Sequence, residues 1–577
     1  MTKNSGSNDA TTAGSYTDAI TADLYEDVVA QNATLHRKIG WQGAFWVASG
    51  VPALVLFSMG AISATVGKPA WLIWMISISF GFIQAFTYAE IAGLFPHKSG
   101  GASVYGAVAW VRYSKFIAPV SVWCNWFAWS PVLAIGSGLA GGYIMGALFA
   151  PDAVINTWQI TLIDLGGLKE GLSLRINATF IVGVTLLLSV FAIQHGGILR
   201  SAKTTTVLGL TALVPLMLIG LVPLITGDVM TENFFPLTPL AFDSVGNVIE
   251  GAWDLPAWSL MAGGLFIAAW STYGFETAVC YTREFKDPKK DTFKAIIYSG
   301  LLCIAVFTLV PMAFQGHLGL GQMVTPAVVD AAGTVLSPAV YDGMLAADVY
   351  SGMGIANILS GMLGDSAVIA NILVVMFVLA LLLSIMTSMA GSSRTLYQAS
   401  VDGWLPKYLS HVNEHGAPTK AMWTDLAFNL CLLLMSDYVF VLAISNVGYI
   451  IFNFLNLNSG WIHRMDRPNW SRPYKTPTLL LLMGGLLAYV NLMLMGLGAN
   501  IWGEGTLMTG LIFATLIIPV FMFRHYVQDK GVFPQAMLED MHLAGEEEGV
   551  SSRAGVLPYL ALIAGVFVVY YSHSLVS

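Results

Sequence analysis

The chain contains a long series of apolar runs, each about as long as a helix that crosses a membrane. A hydrocarbon core about 30 Å thick is crossed by about 20 helical residues. Thirteen such runs lie at approximately 41–66, 69–94, 116–149, 176–195, 203–226, 255–282, 294–316, 367–393, 419–436, 438–459, 477–498, 506–524 and 555–574. Only 10% of the residues are charged, against roughly 25% in a soluble domain. The sequence therefore predicts an all-α polytopic membrane protein with about 12 to 13 transmembrane helices.

The positions of Lys and Arg predict which loops face the cytosol. Cytosolic loops of membrane proteins carry the excess of basic residues. With a cytosolic N-terminus, all of the 26 Lys and Arg residues except Lys68, Lys169 and Arg175 fall in cytosolic segments. We therefore expect a multi-pass protein of the cytoplasmic, or inner, membrane with its N-terminus in the cytosol.

The same pattern divides the chain into four regions. They are a cytosolic N-terminal segment (1–38), ten helices (39–460), peripheral helices 11 and 12 (461–526), and an acidic linker with an extra C-terminal helix (527–577). The run 555–574 is short, so a helix lying on the membrane surface is the alternative there. The loops 227–254 and 317–365 contain no Lys or Arg, and we expect external lids or short surface helices.

Two of the apolar runs contain residues that interrupt helices. They are Ser49, Gly50, Val51 and Pro52 in the first run, and Ser271, Thr272, Tyr273 and Gly274 in the sixth. Proline removes a backbone donor, and glycine weakens a helix interior. Paired interruptions at corresponding positions of two halves indicate a transport site, because the freed backbone groups can bind a substrate. A proline kink or close helix packing is the alternative for each run alone.

A carboxylate, Glu276, follows the second interruption. A charged side chain at the bilayer centre costs about 3 kcal/mol even on lenient insertion scales. Such residues usually take part in substrate binding or proton transfer. The alternative is a buried acid that hydroxyl or backbone groups satisfy.

Three longer motifs lie in the inner loops and adjoining helices. They read FTYAEIAGLFPHKSGGASVYGAVAW, YGFETAVCYTREFKDPKKDTFKA and GSSRTLYQASVDGWLPKYLSHVNEHGAPTKA. These motifs resemble those of the amino acid-polyamine-organocation (APC) transporters, in the family's order, over roughly residues 40 to 475. The resemblance implies a leucine-transporter-like fold of five plus five helices in inverted repeat, with helices 1 and 6 broken around a central substrate. Residues 39–460 would form this transport core.

The resemblance also implies roles for several residues. Trp270 and Glu276 match a spacing in the arginine/agmatine exchanger, where the tryptophan stacks over the substrate and the glutamate couples binding to movement. Trp270 would then be a gate and Glu276 a proton-sensitive switch, with simple packing as the alternative for Trp270. Trp123, Trp126 and Trp129 recur at spacing three on helix 3. They would wall the substrate or, alternatively, belong to the core.

Coupling residues are implied in the same way. Thr387 and Ser388 match in type the hydroxyl pair that binds sodium in coupled relatives, although such hydroxyls usually bond to their own helix. Glu90, Glu284 and Arg394 lie at cytoplasmic helix ends, and we expect an inner ion-pair network that rearranges when the inner gate opens. Solvated surface charge is the alternative. No cofactor or metal site is expected beyond a coupling H+ or Na+.

The sequence also departs from the family pattern. The glycine-rich motif of helix 1, often GSGIF, is replaced by ASGVP at residues 48–52, and helix 5 contains no lysine beyond Lys203. The absence of a further lysine in helix 5 favours the exchanger branch of the family.

The sequence thus predicts a secondary active transporter, a symporter or exchanger, that moves an amino acid or related amine by alternating access. A polyamine, ethanolamine-type or inorganic-cation transporter on the same fold is an alternative, and so is an amine sensor that does not transport. The expected partners are a small-molecule substrate and the lipid bilayer. An enzyme is not expected, because no catalytic constellation is present. The scattered basic residues argue against nucleic-acid binding.

Overall fold

The computed structural model describes residues 38–51, 55–150, 153–329, 335–346, 352–364, 366–541 and 553–577. Its α-helices are, in chain order, α1 Trp41–Ala48, α2 Val55–Val66, α3 Ala70–Leu94, α4 Ala102–Trp110, α5 Ala118–Trp129, α6 Val132–Leu148, α7 Val154–Thr157, α8 Ala178–His195, α9 Ile198–Leu208, α10 Val214–Thr226, α11 Leu255–Thr272, α12 Pro288–Leu318, α13 Gly352–Met362, α14 Ala367–Val401, α15 Thr419–Leu432, α16 Tyr438–Asp466, α17 Thr478–Gly498, α18 Thr506–Thr515, α19 Ile517–Met522, α20 Gln535–Met541 and α21 Leu557–Ser574. Short 3₁₀ or π segments occupy Gly209–Leu213, Thr231–Asn233, Gly274–Glu284, Gly343–Leu345, Lys407–Ser410, Ala499–Trp502 and Phe523–Gln528.

The strands form four antiparallel two-stranded ribbons outside the helical bundle. They are β1 Gln159–Asp164 with β2 Ser173–Asn177, β3 Leu240–Phe242 with β4 Val248–Glu250, β5 Met323–Thr325 with β8 Val340–Tyr341, and β6 Val328–Val329 with β7 Val335–Ser337. The two predicted outer lids therefore contain hairpins and short 3₁₀ segments, Thr231–Asn233 in the first and Gly343–Leu345 in the second, and the second also contains the α-helix α13.

Nine helical stretches in the described part of the chain are long and apolar enough to cross a membrane. They are Ala70–Leu94, Ala118–Leu148, Ala178–His195, Pro288–Leu318, Ala367–Val401, Tyr438–Asp466, Thr478–Trp502, Thr506–Gln528 and Leu557–Ser574. The other four predicted runs are also helical, but three are interrupted and the fourth, α15, has only 14 residues. The predicted class, an all-α polytopic membrane protein, is confirmed.

Both predicted interruptions are present. In the first run α1 ends at Ala48 and α2 begins at Val55, and Pro52 lies outside the described residues. In the sixth run α11 continues through Thr272 and gives way at Tyr273 to the 3₁₀ segment Gly274–Glu284. Because Ser271 and Thr272 are still helical, the expectation that they belong to the break was wrong.

The last helix runs beside a membrane-spanning helix. The Tyr489 hydroxyl of α17 donates to the Ala561 carbonyl of α21 at 3.4 Å, and Gly496, two turns further along α17, lies against Ser572. Both contacts advance in the same direction, so α21 is parallel to α17. This arrangement favours a thirteenth spanning helix over one that lies on the surface.

Helix packing brings the two interrupted helices together. α3 packs against α11 and α12, α14 packs against α5 and α6, and α16 contacts α3, α5 and α17. The segment Gly274–Glu284 contacts α1, α12 and α14. The break in the sixth run is therefore surrounded by helices rather than by lipid.

A candidate substrate site at the two helix breaks

Glu276 lies in the first turn of the 3₁₀ segment and is 1% exposed. Its Oε1 accepts a hydrogen bond from the Trp129 Nε1 of α5 at 3.1 Å. Among the described residues no donor reaches Oε2, and no salt bridge includes this carboxylate. A buried carboxylate with one neutral donor is far from satisfied. One oxygen of Glu276 is therefore left to receive a donor from a ligand, a water or a proton.

Three further aromatic rings pack around the tryptophan that binds this carboxylate or against one another. The ring centroids of Trp129 and Trp270 are 6.5 Å apart with nearly parallel planes. Tyr449 of α16 meets the Trp129 ring edge-on at 5.6 Å and the Tyr273 ring at 5.9 Å. All four rings are at most 2% exposed. Ring faces together with an unpaired carboxylate are the combination that attracts an organic cation.

A series of hydrogen-bonded polar side chains connects the second break to α3, α16 and α17. The Tyr273 hydroxyl donates to Asn491 Oδ1 at 3.0 Å, and Asn491 donates to Asn453 at 3.0 Å. Asn453 in turn donates to Gln84 at 2.7 Å and to the Tyr88 hydroxyl at 2.6 Å. This chain was not predicted, although polar side chains inside spanning helices are a known signal.

Two glycines permit close contacts at the breaks. A Cβ on Gly274 would lie 2.3 Å from the Trp129 ring and 2.9 Å from Val51. A Cβ on Gly50 would lie 2.5 Å from both the Leu383 carbonyl and the Thr387 hydroxyl. The first break therefore rests against α14, and the second rests against the first and α5. The site is closed and filled by side chains in this conformation.

The predicted sodium candidates lie in α14, and both are buried. Thr387 Oγ1 donates to the Val47 carbonyl at 2.5 Å and accepts from the Gly50 N–H at 3.3 Å. Ser384 Oγ donates to the Gly50 carbonyl at 2.6 Å. Thr387 therefore bonds to the first break rather than to its own helix. Ser388 is buried beside it.

The other predicted binding residues contribute less to the ring cluster. Ser271 and Thr272 donate back to the Ala268 carbonyl at 3.2 and 2.9 Å, as hydroxyls in helices often do. The Thr272 hydroxyl is also 2.6 Å from Ser77 of α3. Ser49 donates to the Trp46 carbonyl at 2.6 Å. These hydroxyls hold the helix ends.

Of the three tryptophans on α5, only Trp129 faces Glu276. Trp123 Nε1 donates to the Phe513 carbonyl at 2.9 Å, and the two rings stack. Trp126 Nε1 donates to Asp425 at 2.9 Å. Trp123 and Trp126 therefore follow the alternative, a place in the core, where they pack against α18 and α15.

The predicted inner network consists of two separate clusters. Arg394 forms a bidentate pair with Glu284, at 2.5 Å from Nε and 3.0 Å from Nη2, and both side chains are at most 3% exposed. Glu90 instead pairs with Arg464 at 2.6 Å and Arg472 at 3.1 Å. The expectation that Glu90 joins Glu284 and Arg394 was wrong, because α16 and the loop after it supply its partners.

A third charged cluster lies at the helix ends on the same face. Lys98 Nζ is 2.5 Å from Asp402 and 2.8 Å from Asp540 of α20. Burial would raise the pKa of Asp540, but Lys98 and the hydrogen bond from His97 outweigh it and lower that pKa to about 2. Burial raises the pKa of Asp402 despite Lys98. α20 is thus fastened to the loop after α3 and to the end of α14 by buried ion pairs.

One buried carboxylate inside a predicted apolar run escaped the sequence analysis. Asp425 of α15 is fully buried and accepts from Ser130 and Ser392 at 2.5 Å and from Trp126 at 2.9 Å. It lies in an apolar run, so the criterion that selected Glu276 would also have found it. Unlike Glu276, it has three donors, which fits a role in holding α5, α14 and α15 together.

Comparison with known proteins identifies the family. The family model described as "Amino acid permease" matches residues 39–523. The chain belongs to this amino acid permease family. It is therefore a transporter of amino acids or related amines and not an enzyme.

Individual relatives are distant. The chain is 22% identical to the polyamine transporter PUT1 of Oryza sativa subsp. japonica over 435 residues, which cover 75% of this chain and 67% of the relative. It is 21% identical to the branched-chain amino acid permease BcaP of Bacillus subtilis (strain 168) over 78% of this chain and 84% of the relative. The cationic amino acid transporter 9, chloroplastic, of Arabidopsis thaliana is 21% identical over 47% of this chain and 43% of the relative. These permeases differ in substrate, so likeness alone does not select one.

Proposed function

We propose that this permease is a secondary active transporter of the cytoplasmic membrane that carries an amino acid or amine by alternating access, with its N-terminus in the cytosol. The transport core would be the five-plus-five inverted repeat of residues 39–460. The observation that carries the substrate class is the unpaired Oε2 of Glu276 among the rings of Trp129, Trp270, Tyr273 and Tyr449. An ammonium group would satisfy both the carboxylate and the ring faces.

In this proposal Glu276 alternates between a substrate and a proton. An ionised carboxylate buried without a cation costs several kcal/mol, so the empty site takes up a proton and the loaded site holds an ammonium group. Trp270 and Trp129 separate to admit the substrate and close over it. Competition for one carboxylate suits exchange of substrate and proton, and the polyamine and amino acid transport of the relatives supports an amine cargo.

Sodium coupling is the second candidate, because the Thr387 and Ser384 hydroxyls of α14 face the Val47 and Gly50 carbonyls of the first break. These oxygens and Ser388 would hold the ion. Replacing Na+ by K+ in the uptake buffer distinguishes the two routes, since only sodium coupling predicts that transport stops.

The substrate proposal is tested with Glu276→Gln. Binding of amino acids, polyamines or other amines is measured by thermal shift at two pH values. In the parent protein we expect this binding to weaken at low pH. Loss of a buried charge pair costs about 2–5 kcal/mol, so binding in the variant should be at least about 30-fold weaker and independent of pH. Glu504→Gln, the same change at an exposed residue, is the matched control.

Two outcomes would contradict the proposal. Unchanged affinity and pH dependence in Glu276→Gln would exclude this carboxylate as the substrate and proton site. Liposomes that show neither uptake nor exchange of any amino acid or amine, with or without pH and sodium gradients, would contradict secondary transport itself.

A further inference from the structure

A cavity of about 400 Å³ lies at the basic face of the protein, where α9 begins. Its lining residues are Lys38, Gly196, Gly197, Arg200, Lys203, Glu414 and His415. The three cations are exposed, and none of them forms a salt bridge with another described residue. Glu414 lies 3.6 Å from His415. α9 starts at this cavity without a side-chain cap, so its positive end adds to the charge. The cavity is suited to an anion.

A second, apolar cavity of about 670 Å³ lies beside α1. It is lined by Trp41, Gln42, Gly43, Phe45, Trp46, Thr206, Tyr298 and Leu302. The Trp41 and Tyr298 rings lie 4.8 Å apart, and Tyr298 is 45% exposed. Leu301 beside it on α12 is 48% exposed. On a spanning helix such residues face lipid, so this groove opens towards the bilayer.

The two cavities lie in line along the same two elements. The chain passes from Lys38 in the first cavity to Trp41 in the second, and α9 passes from Lys203 in the first to Thr206 in the second. On α9 the three residues from Lys203 to Thr206 rise about 4.5 Å. Along both segments the basic residue of the first cavity comes first, and the apolar groove follows in the direction of the membrane interior.

We propose that these two cavities together bind one anionic phospholipid. Its phosphate would lie among Lys38, Arg200 and Lys203, and an acyl chain would lie in the groove between Trp41 and Tyr298. The positive charge of the first cavity favours an anionic headgroup over a zwitterionic one, since basic pockets between spanning helices bind anionic headgroups. A free phosphate would leave the apolar groove unfilled, so the occupant is a lipid.

The position of the lipid gives it a consequence for transport. Its headgroup and chain would touch α1, α9 and α12 at once, and α1 is the half-helix that ends at the first break. A bound lipid would therefore hold α1 in place on the inner side of the permease.

The test uses the full-length protein in detergent and the variant R200Q/K203Q. Binding of dioleoylphosphatidylglycerol, dioleoylphosphatidylcholine, dihexanoylphosphatidylglycerol and inorganic phosphate is measured by native mass spectrometry and by thermal shift. Two controls match the variant. R553Q/K530Q removes one Arg and one Lys that are exposed outside the cavity, and R200K/K203R keeps the charge.

We expect the long-chain phosphatidylglycerol to bind the parent protein and both controls, and to bind R200Q/K203Q about 30-fold less tightly, since each basic residue near the membrane contributes about 1 kcal/mol, or about a fivefold factor. Equal binding to R200Q/K203Q would overturn the site. Equal weakening in R553Q/K530Q would overturn it in favour of general surface charge. Binding of phosphate or of the short-chain lipid as tightly as the long-chain lipid would overturn the lipid assignment. None of these results depends on the substrate or on Glu276.

Discussion

Replacing Glu284 by Gln should open the inner side of the permease. Three segments of the chain meet at this residue. Its carboxylate pairs with Arg394 of α14, and its backbone carbonyl accepts from the N–H groups of Lys38 and Ile39 at 3.0 and 3.2 Å, just before α1. The end of the sixth run is thereby tied to the eighth run and to the start of the first.

The magnitude follows from the burial of the pair. Arg394 is 3% exposed, and its other contacts are the Ala390 carbonyl at 3.0 Å and the Tyr281 ring at 5.3 Å. Removing one member of a buried ion pair costs about 3–5 kcal/mol, because the remaining charge is left without a partner. If opening separates these elements, a loss of about 3 kcal/mol in the closed state raises the open population about 150-fold.

Cys280 provides the assay, because it lies one turn before Glu284 and is 2% exposed. The other three cysteines, Cys124, Cys303 and Cys431, are replaced by Ala so that only Cys280 reacts. N-ethylmaleimide then labels Cys280 at a rate proportional to the open fraction. We expect Glu284→Gln to accelerate labelling by about two orders of magnitude.

Two further variants decide how that rate is interpreted. Glu504→Gln removes an exposed carboxylate and should leave the labelling rate unchanged. In Glu284→Gln with Arg394→Met the unpaired charge is gone, so labelling should slow again relative to the single variant. A labelling rate within twofold of the parent protein in Glu284→Gln would refute the idea that this pair holds the inner side closed.

Two further predictions concern other contacts, one at Asp540 and one at Gly50. Because the pKa of Asp540 is about 2 in the folded protein against an ordinary value of 3.8, its pairing with Lys98 stabilises α20 fully above about pH 4, by roughly 2 kcal/mol, and this contribution is lost as the pH falls towards 2. Hydrogen exchange across residues 535–541 should therefore quicken over that range in the parent protein and be fast, without this pH dependence, in Asp540→Asn; equal protection in both proteins would contradict the pairing. Gly50→Ala should cost about 1–3 kcal/mol, measured as thermal stability, since its Cβ would lie 2.5 Å from the Thr387 hydroxyl, whereas Gly485→Ala, with no atom within 4 Å, should stabilise α17. Similar effects of the two alanine substitutions would show that the contact at Gly50 does not matter.

The class of fold could be predicted from the sequence because the bilayer leaves a spanning chain few choices. Apolar runs of fixed length and the position of Lys and Arg follow from the cost of burying polar groups in hydrocarbon. The two interruptions were also predictable, since Pro and Gly act locally. The exact end of α11 was not, because Ser and Thr are tolerated inside helices when their hydroxyls bond to a preceding carbonyl, as Ser271 and Thr272 do with Ala268.

Partners across the bundle could not be predicted from residue type alone. Glu90 and Glu284 occupy similar places in the sequence, but one pairs with Arg464 and Arg472 and the other with Arg394. The choice depends on which helix end lies opposite each carboxylate. The stripe of tryptophans on α5 shows the same limit, because a spacing of three residues spreads the side chains over neighbouring grooves and leaves only Trp129 beside Glu276.

The continuous helix α14 holds both interrupted runs. Near its middle, Ser384 and Thr387 bond to the backbone of the first break. Two turns later Arg394 holds the end of the 3₁₀ segment that follows the second break. Freed backbone groups in a membrane need partners, and α14 supplies them to the first break while the site is closed. If the transport movement we propose separates α1 from α14, water, an ion or substrate must replace these bonds, and this requirement would link the opening of the permease to what occupies its site.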